Sequence, residues 1–197
     1  NADVWINRSR PAVKLLGAKF TQTGGRYVDG ETTAILSISG ELFLTEVTFT
    51  GGRADRGAHV LAEGGSLTVV GGVFERGVAT QKGGAIAAQD AVVTLTDVEV
   101  QSNSAAQGGG LWVQGGSFTA TGGALSGNVA DEHGGGLYGQ GAALSLSGAL
   151  ISSNLASVDG GGVYSGGEEG ALTLDGGAAL IGNEAVEHGG GVFVDSG

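Results

Sequence analysis

Residues 144–163 read Leu144-Ser-Leu-Ser-Gly-Ala-Leu-Ile151-Ser-Ser-Asn154-Leu-Ala-Ser-Val-Asp159-Gly-Gly-Gly-Val163. An alternating start leads to an aliphatic anchor, then to Asn-x-Ala, then to three glycines. The phrase returns at Asn103, Asn128 and Asn183, whose glycine triplets begin at Gly108, Gly134 and Gly189. Successive asparagines lie 25, 26 and 29 residues apart. A period in this range marks a stacked-repeat protein.

Outward from that stretch, short segments of alternating apolar and mostly polar residues recur. They are Val13-Lys-Leu15, Leu42-Phe-Leu44, Leu67-Thr-Val69, Val93-Thr-Leu95, Phe118-Thr-Ala120, Leu144-Ser-Leu146 and Leu172-Thr-Leu174. Alternation of period two predicts strands with one buried face. A second apolar anchor follows each one: Phe20, Phe49, Phe74, Val100, Leu125, Ile151 and Leu180. After the glycines comes a third apolar stretch, entered at Val60, Ile86, Leu111, Leu137, Val163 and Val192. Glycine interrupts everywhere, and Val, Ile and Thr dominate the apolar stretches, so helix is disfavoured.

The expected fold is all-β, a parallel β-helix of about seven rungs of 25–29 residues with roughly three strands per rung. Each rung buries its apolar face only against its neighbours. Parallel crossovers favour the right hand. Stacking in register places Asn103, Asn128, Asn154 and Asn183 in one column, where each amide can bond to the next along the axis. The glycines beside them allow positive φ where a Cβ would collide with the adjacent rung.

The 197 residues include 42 glycines, one proline and no cysteine. The absence of a Gly-X-Y period excludes collagen, and 41% hydrophobic residues is too many for a disordered linker. Having no cysteine removes disulfides, thiol catalysis and thiolate metal sites. Both ends stop within the pattern, so the chain reads as a single β-helix segment, 1–197, excerpted from a longer protein. It divides by charge. Residues 1–82 hold all nine Lys and Arg beside eight acidic residues, whereas residues 83–197 hold twelve acidic residues and no Lys or Arg. Such a field disfavours nucleic acid, and without an apolar run of membrane length no direct membrane insertion is expected.

Gly83-Gly-Ala-Ile86 is a Gly-Gly-Ala-Ile tetrapeptide. Leu125-Ser-Gly-Asn128, Ile151-Ser-Ser-Asn154 and Leu180-Ile-Gly-Asn183 follow a Phe-x-x-Asn pattern with an aliphatic residue replacing Phe, and Phe74-Glu-Arg-Gly77 keeps the Phe and loses the Asn. This pairing resembles the repeats of the polymorphic outer-membrane protein family. The resemblance implies a right-handed parallel β-helix passenger of autotransporter type, displayed on a bacterial surface and acting in adhesion. It covers residues from about 74 to 197 well and the first 70 weakly.

Three outward columns could carry function. Just before the glycines stand Arg56, Lys82, Gln107, His133, Asp159 and His188. His133, Asp159 and His188 fall on consecutive rungs with Asp131, Glu132 and Glu187 nearby, and two imidazoles about a carboxylate could hold a divalent cation. Just after the glycines stand Leu61, Ala87, Trp112, Tyr138, Tyr164 and Phe193. The last four are expected to form an exposed aromatic stripe for a sugar ring or a docking domain. The outer strand face carries Thr68/Val70, Thr94/Thr96, Thr119/Thr121, Ser145/Ser147 and Thr173/Asp175. These hydroxyl files resemble the flat surfaces of ice-binding solenoids.

Catalysis is not expected. Glycoside hydrolysis needs paired carboxylates on a groove and uronate chemistry needs a cation, which the acidic half lacks. Asp55 and Arg56, near His59, read as a surface ion pair. The expectation is therefore a structural or adhesive module, extracellular or at the cell surface, without a cofactor beyond the candidate cation. Its expected partners are other domains of the parent protein, a surface protein or a glycan. Carbohydrate binding along the aromatics and ice binding along the hydroxyls are the alternatives.

Overall fold

The structure, a computed structural model, describes residues 4–5, 13–16, 19–28, 31–33, 35–168 and 170–195. Its strands form three parallel sheets that coil into a solenoid of about seven turns, with no helix among the described residues. One turn shows the plan. Val92–Thr96 and Glu99–Gln101 belong to a thirteen-stranded sheet, Ser104–Ala105 to a six-stranded sheet and Leu111–Gln114 to an eight-stranded sheet. In two earlier turns the first two segments merge into the ten-residue strands Glu41–Thr50 and Ser66–Glu75.

The register bears out the spacing. Leu67, Val93, Phe118, Leu144 and Leu172 are successive partners in one column, and Val60, Ile86, Leu111, Leu137, Val163 and Val192 in another. These columns are the core: Leu67, Val60, Leu137 and Val163 have no exposed surface. The six-stranded sheet contributes only Ala79, Ala105, Ala130 and Ala156 at buried positions, so the cross-section narrows there.

The first turn departs from the expected register. Val13–Leu16 pairs with Ile35–Ile38 in the eight-stranded sheet, and Lys19–Thr23 pairs with Glu41–Thr45, which sets Phe20 opposite Leu42 rather than Phe49. Tyr27 takes the second-anchor place and stacks on Phe49 with ring centroids 4.3 Å apart; Phe49 in turn stacks on Phe74 at 4.9 Å. The interval from Phe20 to Leu42 is 22 residues, and a turn that short shifts any alignment built on 25 or more.

Four bends separate the four segments of a turn, and each bend is a column of left-handed backbone. One column runs Glu46, Gly71, Asp97, Gly122, Gly148 and Gly176, all with φ between 51° and 65°. All seven non-glycine residues with positive φ among those described, Ser39, Glu46, Arg76, Asp90, Asp97, Ser102 and Ser153, fall in three such columns that glycine fills elsewhere. The stacking over-determines the bend, so it persists where the side chain disfavours it.

Candidate functional site

The repeated phrase occupies the bends on either side of the six-stranded sheet. Asn154 Oδ1 accepts from the Asn128 backbone N–H and from Asn128 Nδ2, both at 3.0 Å. Its own Nδ2 donates to the Leu125 carbonyl and to Asn183 Oδ1, both at 2.9 Å. The same bonds tie Asn103 to Asn128 and end on the Gly77 N–H. Asn103, Asn128 and Asn154 are buried, and every polar atom of the row is spent on its neighbours. The glycine triplet makes the space. A Cβ on Gly135 would collide with the Gly161 and Leu155 carbonyl oxygens, and one on Gly136 would sit 3.1 Å from Asn154 Nδ2.

An earlier turn fills the same space from the other side. Gly52 and Gly77 stand in the asparagine column, and His59 stands in the column that Ala85 and Gly110 occupy later. A Cβ on Gly77 would lie 2.9 Å from His59 Cε1, so one glycine exchange licenses the other. His59 is 2% exposed, packs on Phe49, and donates Nε2–H to the Gly51 carbonyl at 2.7 Å. Nδ1 is then the bare nitrogen, buried without a partner. Burial, only partly opposed by that hydrogen bond, lowers the imidazole from 6.5 to about 4. As pH falls through that window the unfolded chain takes the proton first, so stability present at neutral pH is lost between about 6.5 and 4. Over 2.5 pH units the loss is about 3 kcal/mol. Comparing urea melts of the protein and its His59→Ala variant at pH 7 and pH 4 checks this. Parallel pH profiles would remove His59 from the account.

The aromatic column faces away from the main core, as the alternation requires, but it is not an exposed stripe. Trp112 is 2% exposed and Tyr138 and Tyr164 are each 8% exposed; with Ala87 they form a second buried cluster against which Leu61 and Phe193 pack. The rings stack nearly parallel: Trp112 to Tyr138 at 6.5 Å and 3°, Tyr138 to Tyr164 at 4.8 Å and 5°, Tyr164 to Phe193 at 5.5 Å and 23°. The bend before the glycines folds over them. Lys82 Nζ lies 4.0 Å from the Trp112 ring, His133 packs on Tyr138 and Tyr164, and His188 on Phe193. Burial raises both phenols, Tyr164 to about 12, with the neighbouring Tyr138 and Asp195 adding to its shift. A sugar ring therefore has no free aromatic face at Trp112.

Comparison with family models, curated proteins and solved structures found no match to this chain.

The covering column places the candidate cation ligands as neighbours. His188 Nδ1 lies 2.8 Å from Asp159 Oδ1 in a hydrogen bond. His133 Nδ1 lies 3.3 Å from Asp159 Oδ2 but without hydrogen-bond geometry, and that nitrogen is buried without a partner. Donor atoms of Asp159, Glu187 and His188 all fall within 4.8 Å of one another, whereas His133 stands outside that group on the far oxygen.

Asp55 and Arg56 do not pair as expected. Asp55 accepts from Thr80 at 2.8 Å and Arg56 reaches Glu63 at 2.7 Å, because successive side chains on a strand point to opposite faces. Beside Leu61, where the aromatic column begins, a cavity of about 510 Å³ opens between Arg53, Arg56, Thr80 and Thr33. On the outer face of the thirteen-stranded sheet Thr68, Thr94, Thr119, Ser145 and Thr173 are in strict register, as are Val70, Thr96, Thr121, Ser147 and Asp175.

Proposed function

We propose that this segment is a non-catalytic structural module, a stiff adhesive spacer within a large secreted or surface-displayed bacterial protein. The reading rests on one observation: the side chains with most binding capacity are spent on axial stacking. The asparagine amides bond to each other, and the aromatic rings lie on each other under a cover of histidine and lysine. Such a rod transmits length and force from one domain to another, with other parts of the parent protein, a surface protein or a glycan as partners at its ends. The strongly acidic face of residues 83–197 suits an extracellular, solvated surface. Protease shaving of intact producing cells tests the placement. Fragments of residues 83–197 should appear in the supernatant before lysis, and their appearance only after lysis would overturn it.

A further inference from the structure

Asp159 is the only buried carboxylate among the described residues, 8% exposed, in a half of the chain without Lys or Arg. Glu187 brings a second carboxylate within 4.8 Å of it. Two carboxylates so close, one of them desolvated, call for a positive charge between them. A protonated imidazole can supply it; so can a metal ion. Metal–ligand bonds of about 2.0–2.2 Å at angles of 90–109° separate neighbouring donor atoms by roughly 3.0–3.5 Å. The donor atoms of Asp159, Glu187 and His188 all lie within 4.8 Å of one another, so side-chain adjustment alone brings them onto one ion.

We propose that Asp159, Glu187 and His188 bind one divalent cation of the zinc class, bridging the last two turns described. One imidazole with two carboxylates is a borderline donor set that suits Zn²⁺, Co²⁺ or Ni²⁺ better than Ca²⁺, which takes six to eight oxygens. The cation takes the place of the proton between His188 Nδ1 and Asp159 Oδ1, and the neutral imidazole that ligates it carries its N–H on Nε2. His133 is a positioning residue: its Nδ1 faces the other Asp159 oxygen, and a small ring rotation lets it donate there and orient the carboxylate. Because Asp159 and His188 are bridge partners on successive turns, the ion clasps the solenoid along its axis. His188 and Glu187 are exposed, which leaves an entry path and open coordination positions.

Chelator-treated protein titrated with Zn²⁺ by calorimetry tests this, with Co²⁺ absorption as an independent signature. The expected result is saturable one-to-one Zn²⁺ binding, a visible Co²⁺ d–d band, and no response to Ca²⁺ at the same concentration. His188→Ala and Glu187→Gln, both at exposed positions, should each abolish binding and band while circular dichroism stays unchanged. His133→Ala should weaken binding by about tenfold without abolishing it. Failure to bind Zn²⁺, or binding retained in either His188→Ala or Glu187→Gln, overturns the proposal.

Discussion

Asn154→Ala is expected to cost about 3–5 kcal/mol in urea melts, several times the loss usual for one exposed hydrogen bond. The amide takes part in four bonds, two accepted from Asn128 and two donated to Leu125 and Asn183. The truncation strands the Asn128 backbone N–H and one Asn128 amide proton in a buried bend, at about 1–3 kcal/mol for each buried group left unpaired, and it takes one donor from the Leu125 carbonyl. Water entering the vacated space offsets part of that sum. Asn154→Asp probes the same bonds without changing volume: the acceptor is kept and the two donations are lost. A variant melting within 1 kcal/mol of the parent protein would mean that the row is solvated and carries no weight.

Trp112→Ala is expected to cost a similar amount, about 3–5 kcal/mol, the range for a large aromatic truncated in a packed interior. The indole is 2% exposed, lies against Ala87 and Tyr138, and carries Lys82 over its face. A free surface ring would show almost no stability change on truncation and a large change in binding. Thermal melting of Trp112→Ala separates the two situations directly. An unchanged midpoint would restore the exposed stripe and with it a carbohydrate-binding surface.

The difference between those two pictures shows where the sequence stops being legible. Alternation along Leu111-Trp112-Val113 tells correctly that Trp112 points away from the main core. It does not tell what lies above the ring. The cover comes from Lys82, His133 and His188, residues that reading along one strand places merely at a bend. The asparagine row was readable because it needs only period and residue type, and both survive translation from text to space. The exchange of Gly77 for His59 also left a trace, since glycine replaces Asn in Phe74-Glu-Arg-Gly77, but the residue that fills the gap is eighteen positions away. The first turn escapes a periodic reading because its 22-residue length, from Phe20 to Leu42, breaks the repeat that the other turns keep. Nothing in the letters marks Arg76 or Ser153 as left-handed; only their glycine neighbours up and down the column do.

The asparagine row has a consequence for the rod as an object. Each carboxamide receives protons from the turn before it and gives one to the turn after it, always in the same sense from Asn103 to Asn183. The row is therefore a vector, and the two ends of the rod are chemically different. A further turn carrying Asn in register can join beyond Asn183 by offering its Oδ1, while at the opposite end the Gly77 N–H already closes the row on Asn103 Oδ1. The row does not run the whole rod: Gly52 and Gly77 hold the column in the turns before Asn103, so the two ends of the rod differ in sequence as well as in sense. Each turn of the row thus leaves an amide proton for the turn that follows it, and an asparagine in register is what accepts it.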